Sequence, residues 1–191
     1  MNMLNWLFKL SAPWKALLFY GIPLIQFLVD RAGGPGTRVG GFVFGFFPSA
    51  LLYLLWLLVI QVNLGQNVSR FILKQYSFRF VRYELIAWIG FFMPFQLWWI
   101  HMLLDSSVDW NPLVLPVVGM LSLVFFFLLL HCFLSLAKII ALLNKQTDKP
   151  SFAQYGPVFY YFLLGPFTIW FLQSQVILAS KNRWSDFTQY N

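Results

Sequence analysis

Charge is scarce in this chain of 191 residues. Only 10% are Asp, Glu, Lys or Arg, and just six of them are acidic. Soluble domains carry about 25% charged residues, and no polar stretch here is long enough to fold a soluble domain beside the apolar ones. A water-soluble body is therefore excluded as the reading. Cysteine occurs once, at Cys132, so no internal disulfide forms and the redox compartment goes unread. Motifs for chemistry are missing as well: no nucleophile elbow, HExxH, CxxC or carboxylate-rich helical pattern occurs. The expectation leans away from an enzyme. Nor is there a basic stripe apart from the flanks of apolar runs, so the net charge of +7 does not point to nucleic acid.

What remains is apolar: 60% hydrophobic and 21% aromatic residues. Five segments, about 13–29, 42–64, 85–104, 113–143 and 157–178, are long enough to cross a hydrocarbon core of roughly 30 Å, the first only barely. The expected fold is all-α, a polytopic transmembrane helix bundle of about five spans. Residues 1–180 form one membrane domain and 181–191 a polar tail. The first residues read as an interfacial turn (Trp6, Lys9, Trp14, Lys15) with Pro13 in the first turn of an anchor helix, not as a cleavable signal. Gly33-Gly34-Pro35-Gly36 is followed by no Lys-Ser/Thr pair, so it reads as a connector and not a phosphate cradle. Gly41 and Gly45 form one GxxxG pair suited to close helix packing.

Basic residues set the orientation. With five crossings, nine lie on one side: Lys9, Lys15, Arg70, Lys74, Arg79, Arg82, Lys138, Lys145 and Lys149. Arg31, Arg38, Lys181 and Arg183 lie on the other. Four crossings split them seven against six, so five, with the N-terminus inside and the C-terminus outside, is the expected topology. The loop 65–83 alternates aromatics with Arg70, Lys74, Arg79 and Arg82. It is expected as an amphipathic helix on the inner face, drawn to anionic lipid headgroups. Asn67-Val68-Ser69 is a glycosylation sequon that an inner loop would leave silent. Ser151 and Gln154 have the spacing of a capping box.

Ionisable residues within a span are costly and are candidate sites. His131, Ser135 and Lys138 fall at i, i+4 and i+7 of the long fourth segment, on one helical face. Glu84 opens the third segment at similar depth. An inner-side polar cluster of Glu84, His131, Ser135 and Lys138 is expected, serving either as a clamp between helices or as a transport or proton site. His101, four residues before Asp105, sits about 6 Å from the outer end of its helix, and His131 roughly 28 Å from that end. The two therefore do not share one haem iron. No cofactor is expected, with a single-ligand haem or a quinone as the alternative. Gln26, Asp30, His101 and Asp105 pair at i, i+4 on the outer side and form an expected polar rim, with no metal assigned to it. Trp98, Trp99 and Trp110 suit an outer aromatic belt.

The last helix holds Pro166, Trp170 and Gln173, a P-x-x-x-W-x-x-Q pattern, after Ser151-Phe152-Ala153-Gln154-Tyr155. In these motifs, and in the layout of residues 60–178, the chain resembles an uncharacterised family of small multi-pass bacterial inner-membrane proteins. It departs from them after Gln173, where Ser174, Gln175 and Val176 stand in place of a base and an Asn. The resemblance implies an inner-membrane location and this architecture, and implies no reaction. Physically, Gly165 and Pro166 are expected to kink the last helix. Trp170 and Gln173 would then lie on the kink's own face, packing or touching a lipid or quinone headgroup.

The expected function is that of a non-catalytic accessory, scaffolding or assembly subunit of a membrane complex, with membrane lipids and other membrane proteins or its own copies as partners. A small transporter or lipid- or quinone-binding protein is the alternative, and an oligomerising membrane effector a further one.

Overall fold

The structure, a computed structural model, describes residues 9–21, 24, 25, 28, 38–68, 70–96, 114–145, 147 and 149–182. Every regular element among them is helical. The elements are α1 (Ala12–Ala16, continued by a π-helical turn, Leu17–Gly21), α2 (Arg38–Gly65), α3 (Arg70–Gln75) and α4 (Phe78–Ala87, continued by a π turn, Trp88–Phe92). They are followed by α5 (Val114–Lys145), α6 (Phe152–Leu163) and α7 (Ile169–Lys181). Two of them are long and apolar enough to cross a membrane, through Phe47–Gly65 of α2 and Pro116–Lys145 of α5. The helix over 113–143 thus extends two residues further than its apolar run.

α5 is the axis. Its Leu- and Phe-rich sequence favours helix, and its one proline, Pro116, falls in the first turn, where no intrahelical N–H bond is lost. The C-terminal half of α5 is enclosed: Leu136, Ala137, Ile139, Ile140, Leu142 and Leu143 are fully buried. α4 packs beside it and buries Phe78, Val81 and Leu85, an i, i+3, i+7 stripe. Further along, Trp88 Nε1 donates to Phe125 O at 2.9 Å, and Gln96 donates to Ser122 Oγ at 3.2 Å.

The fifth expected span needs correction. Residues 152–181 form two helices, not one kinked helix. The chain breaks at Gly165, whose φ of +58° is open to glycine but costly for other residues, and a 3-10 turn, Gly165–Thr168, starts the return. Carbonyls freed by the break find donors, as a break away from water requires. Thr168 Oγ1 donates to Tyr161 O at 2.5 Å and Tyr53 Oη to Phe162 O at 3.1 Å. α6 starts beside Lys138, whose Nζ lies 5.4 Å from the Tyr155 ring centre. It runs up to Phe133, on whose ring Phe162 stacks at 5.7 Å. α7 comes back: Asn144 donates to Gln175 Oε1 at 2.9 Å, and Asn182 to Leu143 O at 3.1 Å. Residues 152 and 182 therefore end at the same end of α5. At 12 and 13 residues, each arm reaches about 18–20 Å, short of a bilayer core.

Two other expectations change. The loop 65–83 is not one surface helix. It comprises α3 and the start of α4, divided by Ser77 in a left-handed conformation with φ 52°, so the third helix begins at Phe78, seven residues before the expected 85. Lys15 is not interfacial either. It is 1% exposed with Nζ 5.1 Å from the Trp56 ring centre, while Trp14 beside it stays exposed. Phe19 follows against Tyr53, ring centres 5.8 Å apart, so the N-terminal segment is seated along α2. The backbone of Gly41 and Gly45 lies in α2, but their surroundings are outside the described residues.

Candidate functional site

The polar centre of the bundle lies between α4 and α5. Glu84 sits on the flank of α4, next to its buried stripe, and is 14% exposed at its side chain. His131 faces it from α5, with Nδ1 2.8 Å from Oε1 and 2.9 Å from Oε2. A carboxylate at this distance keeps the proton on Nδ1, which donates, and leaves the lone pair on Nε2. Ser135, one turn along α5, lies 3.4 Å from Nε2. The Cys132 thiol donates to Glu84 Oε2 at 3.1 Å, so both carboxylate oxygens are engaged by α5. The Glu84–His131 pair is the one contact between an acidic and a basic side chain among the described residues.

Lys138 is not a member. It shares the α5 face, yet its ammonium lies over the rings of Tyr76 and Tyr155, at 6.0 and 5.4 Å. At i+7 from His131 it is about 10 Å further along the helix, beyond Glu84's reach, and the two tyrosines supply π-faces nearer by. Cys132 is the member that sequence reasoning missed. Adjacent helix positions point about 100° apart, so an alignment by face discards the residue beside His131. α4 lies in the angle between the two and collects both.

The kinked-helix group also separates. Gly165 makes the turn. Trp170 is exposed, whereas Gln173 is buried and donates from Nε2 to Leu10 O at 2.8 Å. The break at 164–168 resets the helix phase, so the i+4, i+7 relation to Pro166 no longer holds. Gln173 ties α7 to the N-terminal segment, on the side of the bundle where α5 ends. The side chains of Pro166 and Arg70 lie outside the described residues, as does the whole expected outer rim, Gln26, Asp30, His101 and Asp105, with Asp109.

No family model, curated protein or solved structure matches the chain. Its site must be read from its own geometry. A carboxylate, an imidazole and a hydroxyl in line can relay a proton from one helix to the other. The same contacts tie α4 to α5. Among the described residues no group of three or more His, Cys, Asp and Glu is arranged to hold a metal.

The remaining basic residues occupy a second place. Arg79 and Arg82 project from the exposed side of α4 into a cleft of about 370 Å³ against the end of α2, together with Gln61, Gly65, Gln66 and Tyr83. Lys74 is exposed on α3 and outside that cleft. Gly65 approaches the Phe78 ring, where a Cβ would stand at 3.5 Å, an ordinary contact that lets α2 and α4 close beneath the cleft.

Proposed function

We propose that the chain is a non-catalytic, multi-pass membrane protein acting as an accessory or scaffolding subunit. The observation that carries this reading is the closure of the Glu84 cluster. Each carboxylate oxygen is taken by a donor from the facing helix, which makes the group a clamp rather than a waiting acid or base. A second feature supports it. Met120, Leu123, Val124, Phe126 and Phe127 on the outer half of α5 are exposed, a broad apolar face free for lipid or for another membrane protein. A photo-crosslinker at Phe127 in living cells should trap one defined membrane protein or a second copy of the chain. Labelling of lipid alone would sink the scaffolding reading.

The arrangement is read as four crossings and a re-entrant α6–α7 hairpin, in the inner membrane of a bacterium, as the family resemblance implies. Lys181 closes α7 and so joins Lys138, Lys145 and Lys149 at the α5 end, which sharpens the charge asymmetry instead of opposing it. Both termini then face the cytoplasm, in place of the outside C-terminus expected from five spans. A reporter fused after Asn191 should be active only as a cytoplasmic fusion; periplasmic activity would restore the fifth crossing.

A further inference from the structure

The cleft between α2 and α4 has the chemistry of a lipid site. Its cations are two guanidiniums three residues apart on one helix, so they converge on one side of α4. Neither has a hydrogen bond or ion pair among the described residues. Among the described residues no carboxylate lines the cleft to neutralise them. A paired guanidinium set matches phosphate oxygens in geometry as well as charge, which a single lysine does not. Apolar side chains stand beside the same cations: Val62 and Tyr83 line the cleft and are exposed. A ligand that satisfies both features carries a phosphate next to hydrocarbon. Gln66, exposed at the edge, adds an amide that can bond a headgroup hydroxyl.

We propose that this cleft binds the headgroup of an anionic glycerophospholipid, its phosphate bridged by Arg79 and Arg82. The proposal rests on the membrane reading above and adds a defined site to the diffuse attraction expected of a basic loop. A choline headgroup is disfavoured because its own cation would stand beside two guanidiniums. Phosphatidylglycerol, with one net negative charge and hydroxyls, fits the cleft.

The test uses the full chain in detergent micelles at 0.15 M salt, where exposed charges further apart than about 8 Å are screened. Dioleoyl phosphatidylglycerol or dioleoyl phosphatidylcholine is added, and bound lipid is counted by native mass spectrometry. Phosphatidylglycerol should bind about tenfold more tightly, and Arg79→Gln or Arg82→Gln should each weaken it about tenfold, the effect of one lost charged hydrogen bond. Both arginines are exposed, and an unchanged melting temperature verifies that the variants remain folded. Lys74→Gln, outside the cleft, should change binding less than about twofold. Equal loss from Lys74→Gln and Arg79→Gln would reduce the site to general surface charge, and equal binding of the two lipids would overturn it. Displacement by glycerol 3-phosphate at matching concentration would replace the membrane lipid with a soluble phosphate, against the proposal. A chain that enters lipid nanodiscs without lipid preference loses only this inference; one that fails to enter them loses the membrane reading as well.

Discussion

The N-terminal and C-terminal halves of α5 are both built of Leu, Phe, Val and Ile, and they live in different surroundings. From Val117 to Phe127 most large side chains face outward, with Met120 69% exposed. From Cys132 to Leu143 nearly all are enclosed. Hydrophobicity does not separate the halves, because in a membrane an apolar side chain gains little by leaving lipid for protein. Small and polar residues do. Cys132, Ser135, Ala137 and Ala141 lie in the enclosed half, where α6 and α4 come close. His131, Ser135 and Asn144 each bond there, to Glu84, His131 and Gln175 respectively. In the other half Gly119 meets open space, and the side-chain bonds are those of Gln96 to Ser122 and of Trp88 to Phe125 O, both from the α4 side alone. Packing along this helix follows small side chains and hydrogen bonds.

The largest expected effect tests that contrast directly. Leu136→Lys puts a charge where every direction is occupied, and should abolish monodisperse protein in detergent, since an unpaired buried charge costs several kcal/mol. Met120→Lys on the N-terminal half should stay folded in detergent, within about 0.5 kcal/mol, and lose only membrane insertion. Size-exclusion profiles of the two variants decide it; equal behaviour would dissolve the distinction between the halves.

A smaller loss is expected at the clamp. Glu84→Ala leaves the His131 Nδ1–H and the Cys132 thiol without their acceptor, at a cost of about 1–3 kcal/mol. Glu84→Gln, which retains an acceptor oxygen, should lose less. Melting in detergent orders the three proteins, and an Ala variant as stable as the parent would remove the clamp from the account of stability. Smallest is Gly165→Ala. A Cβ meets no neighbour there, but the positive φ costs a non-glycine residue about 1–2 kcal/mol, or roughly 2–8 °C in melting temperature. No change at all would mean that the turn re-forms with another φ, and the hairpin would owe nothing to glycine.

Much of α5 was legible in advance, because a long uninterrupted apolar run has one helical outcome. So was the Glu84–His131 contact: both are titratable groups of similar depth in segments otherwise without charge, and each needs a partner. The Ser151–Gln154 pair was legible too, its Gln154 Oε1 accepting from Ser151 N at 2.8 Å. The break between α6 and α7 was not. Gly165-Pro166 permits a kink or a break, and the choice lies with donors 100 residues away in sequence, such as Tyr53. The cleft escaped for a local reason. Arg79 and Arg82 look like residues of one continuous surface helix until Ser77 turns left-handed and starts α4 beneath them.

Local interactions account for what the amino-acid sequence determined by itself: helix throughout the regular elements of the described residues, apolar runs long enough in α2 and α5 to cross a membrane, and a few polar groups obliged to pair. These follow from composition, periodicity and the cost of an unpartnered polar group. Tertiary structure alone decided which half of α5 is covered, that Lys138 turns to tyrosines and leaves Glu84 to Cys132, and that residues 152–181 fold as two helices with a turn between them. Each of those depends on which distant surface arrives at a given depth. Helical period places a side chain on a face, but says nothing of what packs there.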